Sequence, residues 1–175
     1  MKKFKILFLL AGTLVMVVVM SWQGASLKTS LTPLGILNLE FACNATKANA
    51  VVDVWASMSS VDNIAAAKLN TTLDFIFLFF YALLLFYLCK ELAVSAFGSL
   101  RKVGRFLAKA ALAAGLFDIL ENTGMLFTLN GRITDAITLL TFIFSVAKWA
   151  LVLACLLYIV ITGPFTLYKK YKAAS

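Results

Sequence analysis

The chain contains no histidine. Histidine is the commonest metal ligand and the usual acid–base group near neutral pH, so most metal centres and histidine-dependent reactions are excluded. The three cysteines, Cys43, Cys89 and Cys155, are odd in number and show no C-x-x-C spacing, which supports neither a disulfide framework nor a zinc site. The H-E-x-x-H, G-x-S-x-G and P-loop motifs are also absent. The sequence therefore predicts no metal and no cofactor.

Charged residues are scarce as well, at 14% of the 175 residues, whereas 62% of the residues are hydrophobic. Ordinary soluble domains contain roughly 45–50% apolar residues, so the composition places the chain in the membrane class. The formal net charge of +8 is unevenly distributed along the chain. It reflects membrane orientation, and it gives no support to nucleic-acid binding.

Four apolar segments predict an all-α integral membrane protein, a four-transmembrane-helix bundle that forms a single domain over residues 1–175. The predicted spans are residues 6–22, 71–89, 107–129 and 137–162. The basic start and the apolar run of residues 1–22 also fit a signal peptide, but we interpret them as the first span. The fourth span is expected to end before Gly163 and Pro164.

The longest polar segment, residues 23–70, lies between the first two spans, and we call it the cap segment. Val51, Val54 and Trp55 recur at helical spacing, and a tryptophan is well suited to the membrane interface. We expect the cap segment to fold over one mouth of the bundle; the alternative is a mobile loop. Residues 90–106, between the second and third spans, form a basic connector.

Lysine and arginine are unequally divided between the two sides of the predicted spans. The N-terminus, the connector with Lys109, and the C-terminal tail carry eleven, the other side carries four, and Lys148 lies within a span. By the positive-inside rule both termini should be cytoplasmic and the cap segment should face outward. The lysine-rich opening is typical of a bacterial protein, so we expect the bacterial cytoplasmic (inner) membrane.

The third span carries three polar residues in its middle, Asp118, Glu121 and Asn122. A charged side chain at the centre of a membrane helix costs roughly 2.5 to 3.5 kcal/mol, so each needs a partner, a proton or water. Their spacing of three and four residues places all three on one helix face. Small residues one and two turns earlier allow another helix to approach closely: Ala110, Ala111, Ala114 and Gly115.

Lys148 is predicted to lie at the same depth as Asp118. The third and fourth spans are antiparallel neighbours, and both residues lie roughly 15–16 Å from the shared outer end of the two helices at 1.5 Å per residue. An ion pair between them is expected. Because Glu121 is a second carboxyl, one of the two acids should carry a proton, or a bound cation or water should balance the charge.

Other polar residues could complete the lining of this site. Thr141 and Ser145 extend a polar stripe along the helix of Lys148, and the second span and the cap segment contribute further groups. The predicted ligand-binding residues are Asp118, Glu121, Asn122, Lys148, Asp74, Tyr81 and Glu40, with Asn38 as an additional candidate in the cap segment.

The segments TPLGILNLEFA, LDFIFLFFYA, FDILENTGML and AKWALV are similar in layout to a family of small four-span uncharacterised bacterial membrane proteins. The resemblance extends from about Thr32 to Tyr158 and implies the four-span architecture. It implies no activity. The polar positions that match the pattern are Glu40, Asp74, Asp118, Glu121, Asn122 and Lys148.

Four interpretations of the polar site remain open. The site binds a small amphipathic ligand or lipid, or conducts protons or ions. Alternatively, the chain is an intramembrane enzyme that acts on a lipid or isoprenoid-like substrate, with Glu121 or Asp118 as general acid or base. In the third interpretation, the chain is an accessory or assembly subunit that docks through the cap segment. In the fourth, the buried ion pair has no role beyond fixing which helices pair. The expected partners are the lipid bilayer, such a ligand, and a second copy or another membrane protein.

Overall fold

The computed structural model describes residues 2–57 and 62–174, and in these ranges the chain is helical with no β-strand. A single 3-10 turn at Ala25–Leu27 follows the first helix. The helices are α1 (Lys2–Gln23), α2 (Leu37–Glu40), α3 (Ala45–Ala56), α4 (Asn63–Ser95), α5 (Gly98–Leu129) and α6 (Asp135–Ala174).

Among the described residues, three helices are long and apolar enough to cross a membrane. They are α1 from Lys3, α4, and α6 as far as Thr166. Large apolar side chains point outward on these helices, for example Phe4, Val18 and Val160, each about two-thirds exposed or more. An apolar exterior of this extent is consistent with a membrane protein whose helices contact lipid. α5 is not among the three.

The four long helices alternate in direction. α5 packs between α4 and α6, and α1 packs on the outer side of α4. The antiparallel pairing of α1 with α4 is fixed at one end by Asn70, whose Nδ2 donates to Met20 O (3.0 Å) and to Gln23 Oε1 (2.7 Å). Farther along the pair, the rings of Phe8 and Phe80 meet at a centroid distance of 5.9 Å.

Small residues let α5 approach α4 closely, as the sequence predicts. Ala110, Ala111, Ala114 and Gly115 are all buried. A Cβ atom at Gly115 would lie 3.0 Å from Ala82 Cβ, which is closer than most real contacts. This close approach brings the polar residues of α5 next to those of α4.

The helices extend beyond the predicted spans. Residues 90–106, expected as a connector, are helical except for Ala96 and Phe97, because α4 continues to Ser95 and α5 begins at Gly98. α6 does not stop before Gly163 and Pro164, and Pro164 lies inside it. Membrane helices tolerate proline because neighbouring groups satisfy the freed backbone carbonyl.

The cap segment has a packed core of its own against the ends of the long helices. Trp55 was expected at the membrane interface, but it is 1% exposed and its Nε1 donates to Leu27 O at 3.0 Å. Leu39 from α2 and Met125 from α5 belong to the same buried cluster. Because α2 is anchored in this core, its last residue, Glu40, is directed toward α6.

Candidate functional site

The site is centred on Lys148 in the first half of α6, a residue that is 6% exposed. Its Nζ lies 3.0 Å from Asp118 Oδ1 and 2.8 and 2.9 Å from the two carboxylate oxygens of Glu121. A third carboxylate, Glu40 Oε2, lies 3.5 Å away. An ammonium has three N–H donors, so one lysine supplies a donor to each of the three acids.

Asp118 connects this ion cluster to α4. Its Oδ2 accepts a hydrogen bond of 2.6 Å from the hydroxyl of Tyr81, while its Oδ1 faces Lys148. Both oxygens of Asp118 therefore accept hydrogen bonds, so neither of them is left without a partner. Phe77 packs beside Tyr81 with ring centroids 5.1 Å apart, which fixes the orientation of the phenol.

A second polar pair lies one turn from the first. The side-chain nitrogen of Asn122 donates to Asp74 Oδ2 at 2.7 Å, again between α5 and α4. Asn122 is fully buried, and its Oδ1 has no hydrogen-bond partner among the described residues. A buried amide oxygen without a donor costs free energy, and a donor on a bound molecule or water would remove that cost.

Glu40 enters the site from the cap segment, more than a hundred residues from its partners in the chain. Its Oε2 accepts from Ser145 Oγ and from Trp149 Nε1, each at 3.3 Å, besides facing Lys148. α2 thus contributes one acid to the ion cluster and contacts α6 through it. Asn38 lies on the same short helix, but its Oδ1 accepts from Leu34 N within the cap segment, and it does not line the central cavity.

The structure brings together all seven residues predicted to form the site, from the cap segment, α4, α5 and α6: Glu40, Asp74, Tyr81, Asp118, Glu121, Asn122 and Lys148. Whether they bind a ligand remains a prediction. Trp149 was missed, although its position next to Lys148 and its indole N–H were signals for it. Its role depends on where α2 lies, which helical spacing does not reveal.

A cavity of about 340 Å³ opens beside the cluster, between α1 and α6 and against α4. Most of its lining residues are apolar and come from α1, α4, α6, α2 and the residue before α2: Met20, Ile36, Leu37, Phe77, Leu84, Leu85, Val152 and Leu156. Glu40, Asp74, Tyr81, Asp118 and Lys148 also line it, but almost all of the surface inside the cavity is apolar, because the polar atoms of these five residues bond within the protein. Ligand pockets are typically about 300–1,000 Å³ with mostly apolar walls, and this cavity has that size and that character.

The polar groups beside the cavity can form hydrogen bonds and charge pairs. Four carboxyl groups and one ammonium gather there within the described residues. The described residues hold no group of three or more histidine, cysteine, aspartate or glutamate side chains arranged to bind a metal ion. A hydrogen-bond donor or a positive charge on a ligand would complement the excess of carboxyl groups.

No protein-family model, no curated protein and no solved structure matches the chain.

Proposed function

We propose that this chain is a membrane protein that binds a small amphipathic ligand or lipid in its central cavity. The observation that carries the proposal is an apolar cavity that lies directly beside a buried cluster of charged side chains. An alkyl or isoprenoid chain fits against Leu84, Leu85 and Val152. The polar group of the ligand then lies beside Lys148 and Asp118.

The position of α1 provides a route for such a ligand. α1 packs on α4, while the cavity is lined by Thr13 and Met20 of α1 on one side and by Val152 and Leu156 of α6 on the other. A molecule dissolved in the lipid phase would reach the cavity between α1 and α6. In this arrangement the apolar part of the ligand never crosses water, which avoids the cost of exposing it.

The proposed membrane arrangement has four spans, with α5 as the third. α5 carries the acids, yet it packs between α4 and α6, so it shares their depth. Its charged groups are paired inside the protein, which lowers the cost of placing them in the membrane. The distribution of lysine and arginine supports cytoplasmic termini and an outward-facing cap segment, and the lysine-rich opening segment supports a bacterial inner membrane.

An intramembrane enzyme acting on a lipid or isoprenoid-like substrate is the second candidate. One observation favours it: Asp118, one of the two acids considered as general acid or base, is among the residues that line the apolar cavity, as is Asp74, whereas Glu121 is not. A carboxyl in such a site can act as a general acid or base. Comparison of lipid extracts from a deletion strain and its parent tests this candidate, and identical profiles would contradict it.

Ligand binding is tested by filling the cavity. Val152→Trp places an indole in the apolar wall, and Val160→Trp is the matched control, because Val160 lies on the same helix, is 68% exposed and does not line the cavity. The wild-type chain and both variants are purified in mild detergent and extracted for mass spectrometry. An amphiphile retained by the wild type and by Val160→Trp but lost from Val152→Trp supports the proposal. Equal amphiphile content in all three contradicts it.

A further inference from the structure

A second cavity lies at the end of the molecule opposite the cap segment, where α4 ends and α5 begins. Its volume is about 350 Å³, and the residues that line it are Lys90, Ala93, Val94, Arg101 and Arg105. We propose that the three basic residues at this cavity bind the phosphate group of an anionic phospholipid, whose acyl chains lie along the mostly apolar surface inside and beside it. The site is separate from the central cavity and does not depend on the function proposed for it.

Charge is the first argument for a phosphate ligand. Three of the five lining residues are basic, Lys90 from α4 and Arg101 and Arg105 from α5, and none of the five is acidic. The two arginines are four residues apart on one helix, so their guanidinium groups project from the same face. Arginine binds phosphate through paired N–H donors, and a basic pocket at the end of membrane helices suits a phospholipid head group.

The cavity lies at the level where the apolar part of the molecule ends. Lys5 lines a neighbouring pocket together with Lys90 and Glu91, and Lys5 directly precedes the apolar run of α1. Arg105 precedes Asp118 by thirteen residues on α5, which places it about 20 Å along the axis from the ion cluster. If that cluster lies mid-membrane, Arg105 lies beyond the half-thickness of about 15 Å, at the level of the lipid head groups.

Packing contacts hold the junction between α4 and α5 in one arrangement. Arg101 Nε donates to Ala96 O at 3.0 Å, and the hydroxyl of Tyr158 donates to Leu100 O at 3.2 Å. A Cβ atom at Gly104 would lie 2.8 Å from Ala93 Cβ, so the two helices touch directly behind the cavity. Basic groups on a well-packed helix junction lose less conformational entropy on binding than groups on a flexible loop.

The apolar surroundings favour a lipid over a free phosphate ion. Val94 lines the cavity and is 68% exposed, and Phe97, at the junction of the two helices, is 65% exposed. These side chains and the mostly apolar surface inside the cavity can cover acyl chains, while the basic side chains around the cavity hold the phosphate. A dissolved phosphate ion would leave that surface uncovered.

The test compares lipid binding to the full chain in detergent by native mass spectrometry. Phosphatidylglycerol is the anionic probe, and phosphatidylcholine is the neutral probe with the same acyl chains. The Arg101→Gln/Arg105→Gln variant removes two lining charges. The Lys102→Gln/Lys109→Gln variant removes two exposed charges from the same helix that do not line the cavity.

We expect the wild type to bind one phosphatidylglycerol at least tenfold more tightly than phosphatidylcholine. This preference should fall at least tenfold in the arginine variant and less than twofold in the lysine variant, and it should weaken with salt. Lys90→Gln, which leaves the bond from Arg101 to Ala96 in place, should weaken binding in the same direction. Equal affinity for the two lipids, equal losses in the two double variants, or full displacement of the lipid by millimolar inorganic phosphate would overturn the proposal.

Discussion

The Nζ atom of Lys148 lies 3.0 Å from Asp118 Oδ1, although the two residues are thirty positions apart and belong to different helices. The same ammonium also faces Glu121 and, at 3.5 Å, Glu40. Three carboxyl groups on α2 and α5 thus share one cation on α6. This arrangement joins the cap segment to the long helices by charge, in a part of the molecule from which solvent is largely excluded.

Replacement of Lys148 by methionine should destabilise the protein strongly. The variant leaves three buried carboxyl groups without their cation, and loss of one partner of a buried ion pair typically costs about 3–5 kcal/mol. Thermal unfolding of the purified chain in detergent measures the effect. Lys109→Met is the control, because Lys109 is an exposed lysine on the neighbouring helix.

A variant that removes two acids together with the lysine tests whether the stability lost in Lys148→Met comes from unpaired charge or from altered packing. The triple variant Lys148→Met/Asp118→Asn/Glu121→Gln should recover much of the stability lost by Lys148→Met alone, because fewer unpaired carboxyls remain buried. A Lys148→Met variant as stable as the wild type would contradict this account. A triple variant less stable than Lys148→Met would also contradict it.

The core of the cap segment should depend on Trp55. Its replacement by alanine removes a fully buried ring and the hydrogen bond to Leu27, and large aromatic-to-alanine changes in a core cost about 3–5 kcal/mol. Hydrogen–deuterium exchange of the backbone amides of residues 23–57 should accelerate. Trp22→Ala provides the control, because Trp22 is 82% exposed and its removal should change exchange little. Equal exchange in the two variants would show that the segment does not depend on this core.

The proposed membrane orientation makes Cys43 a natural reporter. Cys43 is partly exposed in the cap segment, whereas Cys89 and Cys155 are buried. A membrane-impermeant maleimide should label Cys43 in right-side-out spheroplasts and leave it unlabelled in sealed inside-out vesicles. Cys43→Ser should abolish labelling in both preparations. Labelling confined to the inside-out vesicles would reverse the orientation.

Much of the helix pattern could be predicted from the sequence, because hydropathy and helical spacing are local properties. Asp118 and Lys148 could be matched in depth because each residue adds a fixed rise along a helix, and the structure places them in contact. Helix ends were less predictable. Pro164 is a stop signal in a soluble helix, whereas here it lies inside α6.

The path of the cap segment could not be predicted in the same way. The stripe that contains Trp55 indicates a helix, but it does not say whether the ring contacts lipid or a folded core. The ring is buried because Leu27, Leu39 and Met125, from three separate parts of the chain, gather around it. Such contacts depend on how the chain closes on itself.

The sequence by itself determined that the chain has helices apolar enough to span a membrane, their helical periods, and the presence of acids and a lysine within apolar segments, because these follow from composition and from spacing along one helix. The sequence named Glu40 as a possible lining residue, but only the tertiary structure decided that it contacts Lys148 and that a cavity separates α1 from α6. Both depend on packing between distant segments: α2 is anchored by the core around Trp55, and α1 packs on α4. Local spacing carries no information about either choice.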